Sequence, residues 1–125
     1  MTQEHKELLL KDLCARLPYG VKVRCDFGLD GEITEISRTK NNLYYCKYLD
    51  CKEGYCYIES LKPYLFPLSS MTEEQEEEYN DLNSYELGCF PHTEEALDYL
   101  LKNHFDYRNL IDKNLAIDCT NLNIY

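Results

Sequence analysis

The sequence predicts an α+β fold: an N-terminal helix, a small antiparallel SH3-like barrel or meander of four to five strands, and C-terminal helices. Three observations predict it. Leucines recur at helical spacing across the first residues. Strand-like segments then start near residues 21, 32, 43 and 55, with turn signals between them. Two Thr-led, acid-rich stretches at 72 and 93 have the form of helix starts. The length of 125 residues fits one domain. Its expected parts are a helix over 1–17, a β-unit over 20–62, and acidic and C-terminal helices over 72–115.

Thr2 can cap a helix over residues 3–16, with Leu9, Leu13 and Leu17, joined by Leu10 and Cys14, as the apolar stripe. Pro18-Tyr19-Gly20 ends it. Val21, Val23, Cys25 and Phe27 alternate with Lys22, Arg24 and Asp26, which gives a strand with one face in a core. Asp30-Gly31 reads as a turn. The next strand covers 32–38, where Ile33 and Ile36 break the alternation and signal a bulge. Lys40-Asn41-Asn42 turns the chain into a strand over 43–49. Asp50 to Gly54 turns it into another over 55–61. Pro63 and Pro67 suggest an extended segment from Lys62 to Ser70.

Thr72 with Gln75 is a capping-box pattern for a helix from 73, whose apolar anchors are Tyr79 and Leu82. Gly88 to His92 reads as a loop. Thr93 caps a helix over 94–103 with Ala96, Leu97, Leu100 and Leu101 as its stripe. A short helix over 107–114, with Leu110 and Ile111 facing in, is expected to follow.

The net charge of −10 is unevenly placed. Residues 1–71 and 102–125 are each balanced, and ten acidic residues between 73 and 98, with no Lys or Arg, carry all of it. Such a block repels phosphate, so direct DNA or RNA binding through it is not expected. Its plain reading is a solvated helix face; its sharper reading is an acidic surface, centred on Glu74, Glu77, Glu78 and Asp81, that mimics nucleic acid toward a basic partner.

The seven cysteines are odd in number and mostly sit at apolar positions, which fits reduced thiols inside a cell. Cys46, Cys51 and Cys56 are spaced too widely for a typical structural zinc pair, and no metal or cofactor is expected. The phosphate-loop, nucleophile-elbow and zinc-helix motifs are absent, so no catalytic residue is assigned. Histidines 5, 92 and 104 lie in different elements; only His104 neighbours aromatics and a carboxylate. No apolar run approaches the ~20 residues of a membrane span, and the first residues lack a signal-peptide core, so a cytoplasmic protein is expected.

Tyrosine is the compositional oddity. Of twelve, six lie between residues 44 and 64. On paired strands Tyr44, Tyr45, Tyr48, Tyr55 and Tyr57 could form an aromatic surface, with Lys22, Arg24, Lys47 and Lys62 as neighbouring cations. Tyrosine gives rigid contact area at low entropy cost, which suits protein or base recognition. The plainer reading is cross-strand packing.

The segments Leu17-Pro18-Tyr19-Gly20-Val21, then Leu61 to Thr72 (LKPYLFPLSSMT), then His104-Phe105-Asp106-Tyr107-Arg108-Asn109-Leu110-Ile111 resemble small uncharacterised proteins encoded by phages and mobile elements of gut Bacteroidota. The resemblance covers both ends and the proline-rich joint, not residues 24–58. It implies an accessory protein in a bacterial host cell, acting on host or defence components. Together the residues and the resemblance suggest a non-catalytic binding protein that engages a protein partner. The alternatives are sequestration of a nucleotide-like signalling ligand and acidic nucleic-acid mimicry.

Overall fold

Local capping signals set the helices. The computed structural model describes residues 2–26, 28–41, 43–48, 54–83 and 91–125. Thr2 accepts a hydrogen bond from the His5 N–H at 3.1 Å and opens α1 (Gln3–Arg16). Leu9 and Leu13 are fully buried, with Leu10 and Leu17 packed against the same core. Cys14, expected on this stripe, is exposed instead. The inward face also carries Asp12 and Arg16, both at 0% exposure.

The β-unit is a strongly bent meander: β1 (Lys22–Cys25), β2 (Asp30–Glu32), β3 (Glu35–Arg38), β4 (Tyr44–Lys47), β5 (Tyr55–Tyr57) and β6 (Leu61–Pro67). Its ladders run as two sheets. One pairs β2, β1 and β6, and the other pairs β3, β4 and β5. The chain passes between them at Ile33–Thr34, where the alternation of the sequence breaks. Ile33 donates back to Val21 and Thr34 across to Lys47, so both N–H groups at the bend keep a partner. Val21, Val23 and Cys25 are buried as the period-two pattern requires; Phe27 lies outside the described residues, as do Asn42, Cys51 and the other residues of 49–53.

Three strand expectations change. The strand expected over 55–61 ends at Tyr57, and Ile58–Ser60 form a single 3-10 turn before β6. Asp30-Gly31 is not a turn but part of β2, opposite Arg24 and Val23; the turn lies earlier, where Gly28 has φ 78° and donates to Cys25. The stretch from Leu61 to Pro67 is a strand, not merely extended, although Pro63 sits within it. The register explains this. Asp26 donates to Ser60, whereas Cys25 donates away, to Leu29. Pairs in an antiparallel ladder alternate, so Val23 and Pro63 form a non-hydrogen-bonded pair and the missing proline N–H removes nothing from the β1–β6 ladder.

Beyond β6, Thr72 and Gln75 form both bonds of a capping box at α2 (Glu73–Leu82). Thr93 caps α3 (Glu94–Lys102). Tyr79 of α2, with Ala96, Leu100 and Leu101 of α3, builds a second core with Phe105 and Tyr107; Leu82, expected as an anchor, is 38% exposed. Two short strands, β7 (Phe105–Asp106) and β8 (Ile117–Asp118), pair parallel to β6.

The expected helix over 107–114 does not form. The Asp106 carboxylate accepts from the N–H groups of Arg108, Leu110 and Ile111, and Asn109 and Asn114 take positive φ, so the segment folds as successive turns. Leu110 is nonetheless buried and Ile111 packs on the first core. Among the described residues no helix is long and apolar enough to cross a membrane.

Candidate binding site

The strand period decides which tyrosines reach the surface. In β3–β5 the directly opposed residues share a face, and Ile36, Cys46 and Cys56 point to the core. The other face carries Ser37, Tyr45 and Tyr57 in one row and Glu35, Lys47 and Tyr55 in the next. Tyr48 donates its N–H to Gly54, so pairs two residues apart from it are hydrogen-bonded, while Tyr45–Tyr57 and Lys47–Tyr55 are the closer, non-bonded pairs. The side chains therefore meet. The Tyr45 and Tyr55 rings stand edge to face at 5.5 Å, and Lys47 Nζ lies 5.8 Å from the Tyr55 ring centre. Tyr55 and Tyr57 remain 42% and 50% exposed, and with Thr39 these rings enclose a shallow hollow of about 250 Å³. The same register turns the backbone N–H and C=O of Tyr55 and Tyr57 away from β4, toward an edge that no described strand pairs.

The other expected site residues do not join this face. Tyr44 and Tyr48 share the inward parity of Cys46: Tyr44 packs on the core, and Tyr48 is buried with its hydroxyl donating to Cys25 Sγ at 3.1 Å. Lys22, Arg24 and Lys62 lie on the other sheet and already have partners. Lys22 Nζ donates to the Ile124 carbonyl at 2.7 Å, Arg24 Nε to Asp30 at 3.1 Å, and Lys62 Nζ to Asn114 Oδ1 at 3.0 Å. Of the four expected cations, Lys47 alone accompanies the tyrosines among the described residues.

Glu74, Glu77, Glu78 and Asp81 are exposed on α2. Glu78 is not merely solvated, because it accepts from the Tyr99 hydroxyl at 3.0 Å beside the stacked Tyr79 and Tyr99 rings. Desolvation, then Glu78, pushes the Tyr99 phenol up to about 12. Burial likewise raises the thiols of Cys46, to about 12, and of Cys56 and Cys119, to about 11. These cysteines are free and stay protonated at neutral pH, which makes them poor nucleophiles and poor metal ligands. Cys51 and Cys89 lie outside the described residues.

A second constellation was not assigned from sequence. Tyr125 inserts its hydroxyl between β1 and β6, accepting from the Lys22 N–H at 2.8 Å and donating to the Tyr64 carbonyl at 2.9 Å. Its ring stacks on His104 at 3.5 Å and 10°, and lies 6.0 Å from Phe66. Burial, with lesser effects from Arg16 and Lys22, lowers the His104 pKa to about 4. The one sequence signal was His104 among aromatics; the contact with Tyr125 is invisible in the sequence. No family model, curated protein or solved structure matches the chain.

Proposed function

We propose that the chain is a non-catalytic protein-binding module that takes an extended segment of its partner against Tyr45, Lys47, Tyr55 and Tyr57. One observation carries this reading. Six other described tyrosines have committed hydroxyls: Tyr19 to Asp98, Tyr48 to Cys25, Tyr64 to Asp30, Tyr99 to Glu78, Tyr107 from Arg108, and Tyr125 to the ladder, while Tyr44 packs its ring on the core. Tyr45 and Tyr55 meet edge to face, Lys47 lies over Tyr55, Tyr57 is 50% exposed, and none of the three hydroxyls has a partner among the described residues. Three rigid rings with free hydroxyls, beside an edge strand with outward backbone groups, match what an added strand needs: main-chain bonds for affinity and side-chain contacts for selectivity. In the phage or mobile-element setting that the sequence resemblance suggests, the partner is a host component, including one of host defence.

The test places a photo-cross-linking residue by Tyr57→p-benzoylphenylalanine, with Asp112→p-benzoylphenylalanine as control, in cells of the host. A discrete protein adduct at 57 and not at 112 is expected, lost on adding Tyr45→Ser and Tyr55→Ser at unchanged melting temperature. Equal adducts at both positions, or none at 57, overturn the reading.

A further inference from the structure

The paired rings Phe66 and Phe105, opposed in the parallel β6–β7 ladder at 6.1 Å, form the floor of a cleft of about 430 Å³. Its size falls within the roughly 300–1,000 Å³ of small-molecule sites. The stacked His104 and Tyr125 form one wall, and Lys102 and Gln75 line the rim. Aromatic rings supply the floor and one wall, and Ser70, Gln75, Lys102, Asn103 and Thr120 share the lining, so the cleft offers both stacking and hydrogen-bonding surface.

Those polar groups are unsatisfied in a complementary way. Lys102 makes no ion pair among the described residues. Gln75 uses Oε1 to accept from the Thr72 N–H, which leaves its amide N–H groups free to donate. Asn103 donates to the Tyr99 carbonyl and keeps its Oδ1 as a free acceptor. His104 Nδ1 is buried without a partner. His104 also holds φ 63°, an uncommon conformation for a non-glycine residue, fixed by its N–H donating to Leu101 and its carbonyl accepting from Phe66. Among the described residues no acidic side chain lines the cleft, in a chain of net charge −10, and the nearby Asp118 carboxylate is held by the Thr120 N–H and hydroxyl.

We propose that this cleft binds a planar heteroaromatic ring carrying an anionic group, a ligand of mononucleotide size. The rings of Phe66, Phe105 and Tyr125 supply the apolar contact. Lys102 and the Gln75 amide receive the anion. Asn103 Oδ1 reads the polar edge of the ring. The site lies on different elements from the tyrosine face of β4 and β5, and it stands or falls separately from the protein-binding reading.

The test is calorimetric titration of the full chain with the four common nucleoside 5′-monophosphates, with adenosine and with inorganic phosphate. At least one monophosphate should bind and raise the melting temperature by mass action. Phosphate and the nucleoside alone should bind about tenfold or more weakly, since each lacks half of the recognition. Lys102→Gln, at an exposed position, should weaken binding about fivefold or more by removing a charge-assisted contact. Thr120→Trp, which fills the rim from an exposed position, should abolish it. Tyr55→Ser should leave it unchanged. Absence of binding by all four at millimolar concentration overturns the proposal. So does phosphate binding as tightly as the nucleotides, or nucleotide binding that survives both Lys102→Gln and Thr120→Trp.

Discussion

The outward-facing tyrosines of β4 and β5 and the tyrosines around β6 are the same residue put to opposite uses. Tyr64 is fully buried and donates to Asp30 at 2.7 Å, and Tyr125 bridges two strands through its hydroxyl. Tyr45, Tyr55 and Tyr57 lie on a face that no described element covers, and their hydroxyls have no partner among the described residues. The difference teaches that burial of a tyrosine obliges the fold to find a partner for its hydroxyl, whereas a tyrosine left outside keeps that capacity for something else. The comparison breaks if the two groups respond alike to mutation.

The largest expected effect is at Tyr64. Tyr64→Ala leaves a cavity under the central strand and removes the hydroxyl that, before Arg24, holds the Asp30 carboxyl below the ordinary range. It should cost about 3–5 kcal/mol, a large share of the ~5–15 of a whole domain. Tyr55→Ala should cost less than about 0.5 kcal/mol. Urea denaturation of the two variants measures both, and equal losses would mean that the β4–β5 face is covered within the fold.

Tyr125→Phe sharpens the same contrast by removing one oxygen. The hydroxyl stands where the next direct bond of the β1–β6 ladder, from Lys22 N–H to Tyr64 C=O, would otherwise form. Without it both groups lose their partner, which should cost about 1–3 kcal/mol. Hydrogen exchange at the Lys22 amide reads the change locally. An unchanged rate would show that the strands close directly when the oxygen is gone.

How much of this was legible depended on whether the signal was local. Thr2, Thr72 with Gln75, and Thr93 announced the helix starts because a cap is made by residues three apart. The alternation of Val21, Val23 and Cys25 placed the core face of β1 because a strand's period is fixed by its backbone. Asp30-Gly31 misled because its local preference for a turn yields to pairing with β1. Pro63 misled because its missing N–H matters only on the bonded side of a ladder, which depends on register. Leu110 and Ile111 suit a helix or a turn equally, and the Asp106 carboxylate decided for turns. Of the candidate site, Tyr45, Lys47, Tyr55 and Tyr57 follow from parity once register is known. The partners of Lys22, Arg24 and Lys62 come from distant parts of the chain or across a hairpin, and no spacing rule reveals them.

His104 gives a smaller, pH-dependent effect. Its pKa falls from 6.5 to about 4 on folding, through burial first and then Arg16 and Lys22. The unfolded chain therefore takes up the proton first as the solution is acidified. The stability from neutral His104 is fully present above pH 6.5 and is lost as pH falls from 6.5 through 4. The side chain is only half-buried, so screening reduces the effect to about 1–2 kcal/mol. His104→Asn accepts the positive φ and should flatten the wild-type slope of stability against pH in that window. Parallel slopes would place the titration elsewhere.

The smallest expected change in stability, and the most informative, comes from Tyr55→Phe with Tyr57→Phe. These substitutions keep the rings, the edge-to-face contact with Tyr45 and the cation over Tyr55, and remove only the two hydroxyls. Because neither hydroxyl has a partner among the described residues, stability should stay within about ±0.5 kcal/mol. If the face receives an extended segment, each lost hydroxyl should remove a hydrogen bond worth about 0.5–1.5 kcal/mol, so affinity for the cross-linked segment should fall severalfold to tenfold per residue. The backbone bonds along the β5 edge would remain, so binding should weaken without vanishing. Calorimetric titration with a synthetic peptide of the cross-linked sequence separates the cases. Unchanged affinity would assign recognition to the rings and backbone alone. A stability loss above 1 kcal/mol would show that the two hydroxyls are used inside the fold, and the contrast between the two groups of tyrosines would then be wrong.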